Sequence, residues 1–484
     1  MKKTLIYLTL LFGMTYAKAE LKLPAMLSNH MVLQQQTQAR LWGWASAQSQ
    51  LTIQTSWNQK TYTTQTNADG RWQIEVETGA ASFSPGTIVV SEYGKNGKHI
   101  ADQDTLSDVL IGEVWLAGGQ SNMEMPLKGF AGCCVQDGLA DAANAFSQNP
   151  GVRMMMVRME QQSEEQEDCH GQWTDARFPN PMDWSATAYY YAATLTQALQ
   201  VPVGIVCIAY GGSTVESWTD RSTLTQYSDV DLANVWKIEP HYVRPLLMYN
   251  AMFCPIRNYT YRGIIFYQGC SNVGQGPAST EYAQRLATMV RLWREKIGLG
   301  DIPFHYVEIA PYDYDGTQDE RAPYLREQQY KAQELIPNSF MVSVNNLVED
   351  FERYNIHPRQ KRKVGERLCW AALNRVYGMK QVCCAGPRYK DMSVRGDTCW
   401  VAFTDLQMGI CRNYDIRGFE VAGDDHVFYP ADFTALHWQT NHILVKSGKV
   451  PRPVAVRYCF HDFQIGTLIG GNELPAYPFR TDDW

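Results

Sequence analysis

Several things are missing from this 484-residue chain, and each absence closes off a class of function. It has no block of basic residues, and its 43 Lys and Arg are outnumbered by 50 Asp and Glu, giving a net charge of −7. The electrostatic footprint of a nucleic-acid binder is therefore lacking. No His-Glu-x-x-His and no paired Cys-x-x-Cys set occurs, so the common zinc-site patterns are absent and no metal is expected. No phosphate-cradling P-loop is found. Beyond the N-terminal segment no apolar run is long enough to span a bilayer, and no repeat or low-complexity stretch interrupts the chain. What remains is 45% hydrophobic and 19% charged, the balance of a globular protein, and long enough for two or three domains.

The first residues read as an export signal. Lys2 and Lys3 precede a short apolar stretch, and Ala17-Lys18-Ala19 fits a cleavage site. Residues 1–19 are thus expected to be a signal peptide, with the mature protein periplasmic or secreted and without a membrane span. Twelve cysteines, among them the vicinal pairs Cys133-Cys134 and Cys383-Cys384, are compatible with disulfides in such a compartment.

Three regions follow. Residues 20–107 alternate in character over 51–57, 72–77 and 87–91, with turn residues between them, and predict a small β-sandwich. Residues 108–378 place apolar strand patterns at 109–117, 152–157, 203–209, 263–267, 304–309 and 340–344. Helical periodicity separates several of them, and a last helix is expected around 361–376. Strands alternating with helices predict an α/β domain whose parallel sheet is covered on both sides. Residues 379–484 return to β patterns at 398–403, 442–446 and 453–460.

Chemistry concentrates at the ends of the central strands. The run Val-Trp-Leu-Ala-Gly-Gly-Gln-Ser-Asn-Met at 114–123 ends a buried strand in small residues and then Ser121. Open α/β sheets place their active-site crevice at that end. The motif is Gly-x-Ser-x-Met, so the α/β-hydrolase elbow is not matched. Serine is a weak nucleophile and needs a base. His357, in an Ile-His-Pro loop before the last core helix, is the candidate. Oxyanion donors are sought in Gly211-Gly212, after the strand at 203–209, and in the amides of Gln268 and Asn272, after the strand at 263–267.

These loops, in this order, resemble the sialate O-acetylesterases of the SGNH (GDSL-like) hydrolase superfamily. The similarity rests on 115–124, Gly211 to Trp218, Tyr249 to Met252, Tyr267-Gln268-Gly269, Leu325-Arg326-Glu327, Ile356-His357-Pro358, Gly365 to Leu368 and the terminal 478–484. The stretch 26–34 is similar to the family's N-terminal β domain. The resemblance implies a three-layer αβα core with a parallel sheet, flanked by N-terminal and C-terminal β domains. It implies Ser121 as nucleophile, His357 as base, and an oxyanion hole from the N–H groups of Ser121 and Gly212 (or Gly211) with an amide of Gln268 or Asn272. The implied activity is hydrolysis of O-acetyl esters on sialic acid, or on another acetylated glycan such as xylan, through an acetyl-serine and without a cofactor. Arg326 is a candidate partner for a sugar carboxylate, since a guanidinium binds one bidentately.

Two departures stand out. Relatives usually carry glutamate where this chain has Cys270, and often Asn-Asp-Leu where it has Asn345-Asn346-Leu347. If that aspartate orients the histidine, Asn346 would favour the wrong tautomer; in serine proteases the same exchange costs about 10⁴-fold in turnover. Glu349, Asp350 and Glu352 lie near enough in sequence to substitute. The alternatives are a glycan-binding relative with impaired catalysis, and a cysteine nucleophile at Cys270.

Overall fold

A single 20-residue strand, β1 (Ile100–Gly119), ties the N-terminal region to the core. The structure is a computed structural model and describes residues 21–94, 97, 99–314 and 320–484, so the expected signal peptide lies outside the described residues. The first part of β1 pairs antiparallel with Ser82–Tyr93 in the N-terminal sheet; from Glu113 onward it lies in the parallel core sheet. The expected boundary at 107/108 therefore falls inside a strand. Asp108 marks it with a left-handed φ of 53°, next to a shift in pairing register. The remaining N-terminal strands complete the β region, including the antiparallel pair Gln38–Trp44 and Arg71–Glu77.

The core strands are β2 (Val152–Met156), β3 (Val203–Ala209), β4 (Gly263–Tyr267), β5 (Phe304–Val307) and β6 (Ser339–Val342). Their order is β6-β5-β4-β1-β3-β2, every neighbour parallel, with Trp173–Asp175 antiparallel at the edge. Both faces are covered, which is why the strands read as continuous apolar runs and not as alternating ones. A short helix α1 (Ser121–Glu124) leaves β1 directly. One face packs α2 (Ala186–Leu199) around Trp115, Ala117 and Ile205. The other packs α3 (Tyr282–Ile297) and α4 (Arg321–Leu335) around Leu116, Ile264 and Trp293. The last helix, α5 (Arg362–Arg375), joins α2 through Leu368, Ala371 and Ala372. This is the three-layer αβα arrangement with flanking β regions.

The C-terminal region forms two four-stranded antiparallel sheets that share a core of Val401, Val421, Val445 and Val456. Its tail returns to the α/β core: Asn345 Nδ2 donates to the Ala476 carbonyl (2.8 Å) and the Tyr477 hydroxyl to that of Met341 (2.8 Å). All twelve cysteines are unpaired thiols, so the expectation of disulfides is not met; seven of them are buried among core residues.

Candidate active site

The turn that carries Ser121 is set by two close approaches. Gly119 has φ 142°, and a Cβ there would lie 2.2 Å from the Tyr267 carbonyl oxygen, so only glycine lets β1 and β4 end side by side. The Gln120 N–H donates to that same carbonyl (3.0 Å), and the N–H groups of Met123 and Glu124 turn back to the Gln120 carbonyl (2.8 and 2.9 Å). Ser121 thus starts α1, half-buried, at the carboxyl end of the central strand.

The loop after β3 lies against it. Tyr210 N–H donates to the Gly119 carbonyl at 3.0 Å. Gly211 sits so close that a Cβ would be 3.6 Å from Ser121 Cβ and 2.8 Å from Glu124 Oε2. The Gly211 N–H donates to the Glu124 carboxylate, whose pKa is raised chiefly by burial. Gly212 has φ 77° and its Cα faces the Tyr242 ring. Among the described residues, neither the Ser121 nor the Gly212 N–H has a hydrogen-bond acceptor.

The loop after β4 is differently employed than the sequence suggested. Gln268 Nε2 donates to the Ser213 carbonyl (3.0 Å) and to Asn272 Oδ1 (2.8 Å), while its Oε1 accepts from the Tyr282 hydroxyl (2.7 Å). Asn272 Nδ2 donates to Glu216 Oε2 (3.0 Å) and to the Ala278 carbonyl (3.4 Å). Both amides are buried and their protons are committed. They lock the loops together and have no donor left for an oxyanion.

His357 reaches the site through its backbone. Asn122, beside Ser121, donates from Nδ2 to the Ile356 carbonyl (2.9 Å), which holds the histidine loop against α1. The imidazole packs against the Phe130 ring edge, with centroids 5.3 Å apart. Burial, then the positive charge of Lys361, push its pKa down to about 4, so it is a neutral base near pH 7. None of the four residues expected to orient it is bonded to its ring. Asn346 Oδ1 accepts from Arg367 (2.9 Å), Glu349 and Asp350 are exposed, and Glu352 accepts the N–H groups of Arg359 and Glu349. Asn355, overlooked in the sequence, accepts the His357 N–H at 3.0 Å. An asparagine whose side-chain oxygen accepts the N–H two residues on makes an Asx turn, and Asn-x-His is a readable signal.

Arg326 requires correction. It is 2% exposed and donates to the carbonyls of Ile309, Ala310, His461 and Asp462, so no substrate carboxylate can reach it. The guanidinium pins the C-terminal region to β5.

A cavity of about 570 Å³ opens beside these loops and is bounded by Thr214 and Ser271 from them. Its charged lining is four carboxylates (Glu216, Asp229, Asp231, Glu239) against two guanidiniums (Arg285, Arg321). Arg285 is already paired with Glu216 (3.0 Å), Asp229 (2.7 Å) and Glu281 (3.1 Å). The one grouping of potential metal ligands among the described residues, His30 with Asp108 and Asp175, sits at the middle of β1, away from its Ser121 end. Its carboxylates are paired with Arg153 and Arg177, so the charge a cation would supply is present.

The three-layer core with a serine at the carboxyl end of its central strand fits the class of α/β esterases. The chain belongs to the carbohydrate esterases of the sialic acid-specific acetylesterase family, whose model matches residues 111–374. It is similar to the sialate O-acetylesterase of Mus musculus, 25% identical over 94% of this chain and 93% of that one. It is equally similar to the Homo sapiens protein of that name, 25% identical over 94% and 91%. Among solved structures, a carbohydrate acetylesterase from Xanthomonas citri superposes with a TM-score of 0.84 at 30% identity, covering 96% of this chain and all of that one.

Proposed function

We propose that this protein is a carbohydrate O-acetylesterase working through an acetyl-serine. His357 removes the Ser121 hydroxyl proton as Oγ attacks the acetyl carbonyl. The N–H groups of Ser121 and Gly212 take the oxyanion, and His357 returns the proton to the departing sugar oxygen. Water, deprotonated by the same imidazole, then releases acetate. The observation that carries the reading is the Asn122–Ile356 hydrogen bond, which couples the nucleophile turn to the base loop.

The lining of the adjacent cavity bears on the substrate. An excess of carboxylates repels an anionic sugar and offers acceptors to hydroxyl groups, which favours a neutral acetylated glycan over O-acetylated sialic acid. Export of the protein rests on the basic and apolar N-terminal segment, and N-terminal sequencing of protein recovered outside the cytoplasm tests it. A second reading, glycan binding without turnover, is favoured by the lack of a carboxylate bonded to the His357 ring among the described residues. Acetate release from acetylated oligosaccharides separates the two: turnover that disappears in Ser121→Ala supports the esterase, and binding without acetate release supports the alternative.

A further inference from the structure

We propose that Lys361 is a positioning residue for the reaction, holding the nucleophile turn and the base loop in register through Asn122 and setting its ammonium charge beside them. The inference rests on the reading of Ser121 and His357 as nucleophile and base.

Lys361 is 1% exposed, at the start of α5, four residues after His357. Its ammonium donates to Asn122 Oδ1 at 2.5 Å, and the same amide donates from Nδ2 to the Ile356 carbonyl at 2.9 Å. One side chain thus bridges the residue after Ser121 to the residue before His357, and Lys361 fixes which way its amide points. Without the ammonium, the Asn122 oxygen would be a buried acceptor without a partner, and the amide could reverse.

The charge has few counterweights. Facing Lys361 are the Cys270 and Cys133 thiols, the Glu352 carboxylate and, 5.9 Å away, the Tyr267 ring. Glu352 accepts a backbone N–H on each oxygen and makes no ion pair with the ammonium among the described residues. Cys270 is buried and burial raises its thiol pKa, so it stays neutral. Burial lowers Lys361 to about 7, and below that pH the ammonium is charged. Facing His357 are that ammonium and the uncharged Phe130 ring. Through the window from about 4 to about 7, the lysine charge therefore opposes protonation of the imidazole.

The test is the pH dependence of kcat/KM for acetate release by the full chain, with Ser121→Ala as control. Wild type is expected to hold its activity down to near pH 4. Lys361→Met is expected to move the acid limb upward by about half a pH unit or more and to lower kcat by roughly tenfold or more. Lys361→Arg, which keeps the charge, is expected to keep the low limb. Cys270→Glu sets a carboxylate beside Lys361 and is expected to move the limb upward with the lysine still present, so the inference can be read even if Lys361→Met fails to fold. An acid limb unchanged in Cys270→Glu and in folded Lys361→Met overturns it. If wild type shows no acetate release that depends on Ser121, the esterase reading itself fails, a distinct outcome.

Discussion

Gln120 Oε1 accepts the Gly269 N–H at 2.9 Å, so the residue before the candidate nucleophile is clamped to the loop after β4. The same side chain donates from Nε2 to Ser271 Oγ at 3.3 Å. Gln120 is 2% exposed, and Gly269 is buried with it. Gln120→Leu keeps the bulk and leaves a buried N–H unpaired. The expected loss of stability is about 1–3 kcal/mol, measured by denaturant unfolding, together with reduced turnover.

Gly119→Ala meets a harder obstacle. The added methyl would lie 2.2 Å from the Tyr267 carbonyl oxygen, at a φ of 142°. Backbone cannot yield as a side chain does, so a loss of about 3 kcal/mol or failure to fold is expected. Thermal unfolding beside wild type checks this.

Glu308 gives a pH signature of folding. It is buried, accepts from Ser343 Oγ at 2.6 Å, and burial raises its pKa to about 7 from 4.5. The folded state therefore keeps a proton that the unfolded chain has released between those values. Its contribution is fully present below about 4.5 and is lost as pH rises through about 7. In Glu308→Gln the fall in stability between pH 5 and pH 8 is expected to shrink by on the order of 2 kcal/mol relative to wild type. Denaturant unfolding at the two pH values measures it.

The cavity makes a claim about substrate charge. Asp231 and Glu239 line it outside the loops that carry Ser121 and His357. Asp231→Asn with Glu239→Gln is expected to raise kcat/KM for O-acetylated sialic acid relative to a neutral acetylated oligosaccharide, by roughly threefold to tenfold. An unchanged ratio removes the electrostatic argument for a neutral substrate.

The sheet was legible because strands buried on both faces read as continuous apolar runs, as at 109–117, and because Gly119 and Gly212 stand where chains must approach closely. Three things were not. The boundary near 107 is hidden by a strand that serves two sheets and bends at Asp108. The destinations of the Gln268, Asn272 and Arg326 protons depend on distant partners, Ser213, Glu216 and His461, which spacing cannot reveal. The roles of Asn122 and Lys361 arise only when the segments at 121–124 and 356–361 meet in space. Asn355 is the exception, a local Asx turn with a visible pattern.

The most direct measurement is to quench the enzyme during turnover of an acetylated sugar and locate any covalent acetyl group by peptide mass spectrometry. An acetyl group on Ser121, absent without substrate, is expected, together with loss of acetate release in Ser121→Ala. An acetyl group carried on Cys270, or acetate release undiminished in Ser121→Ala, would contradict it.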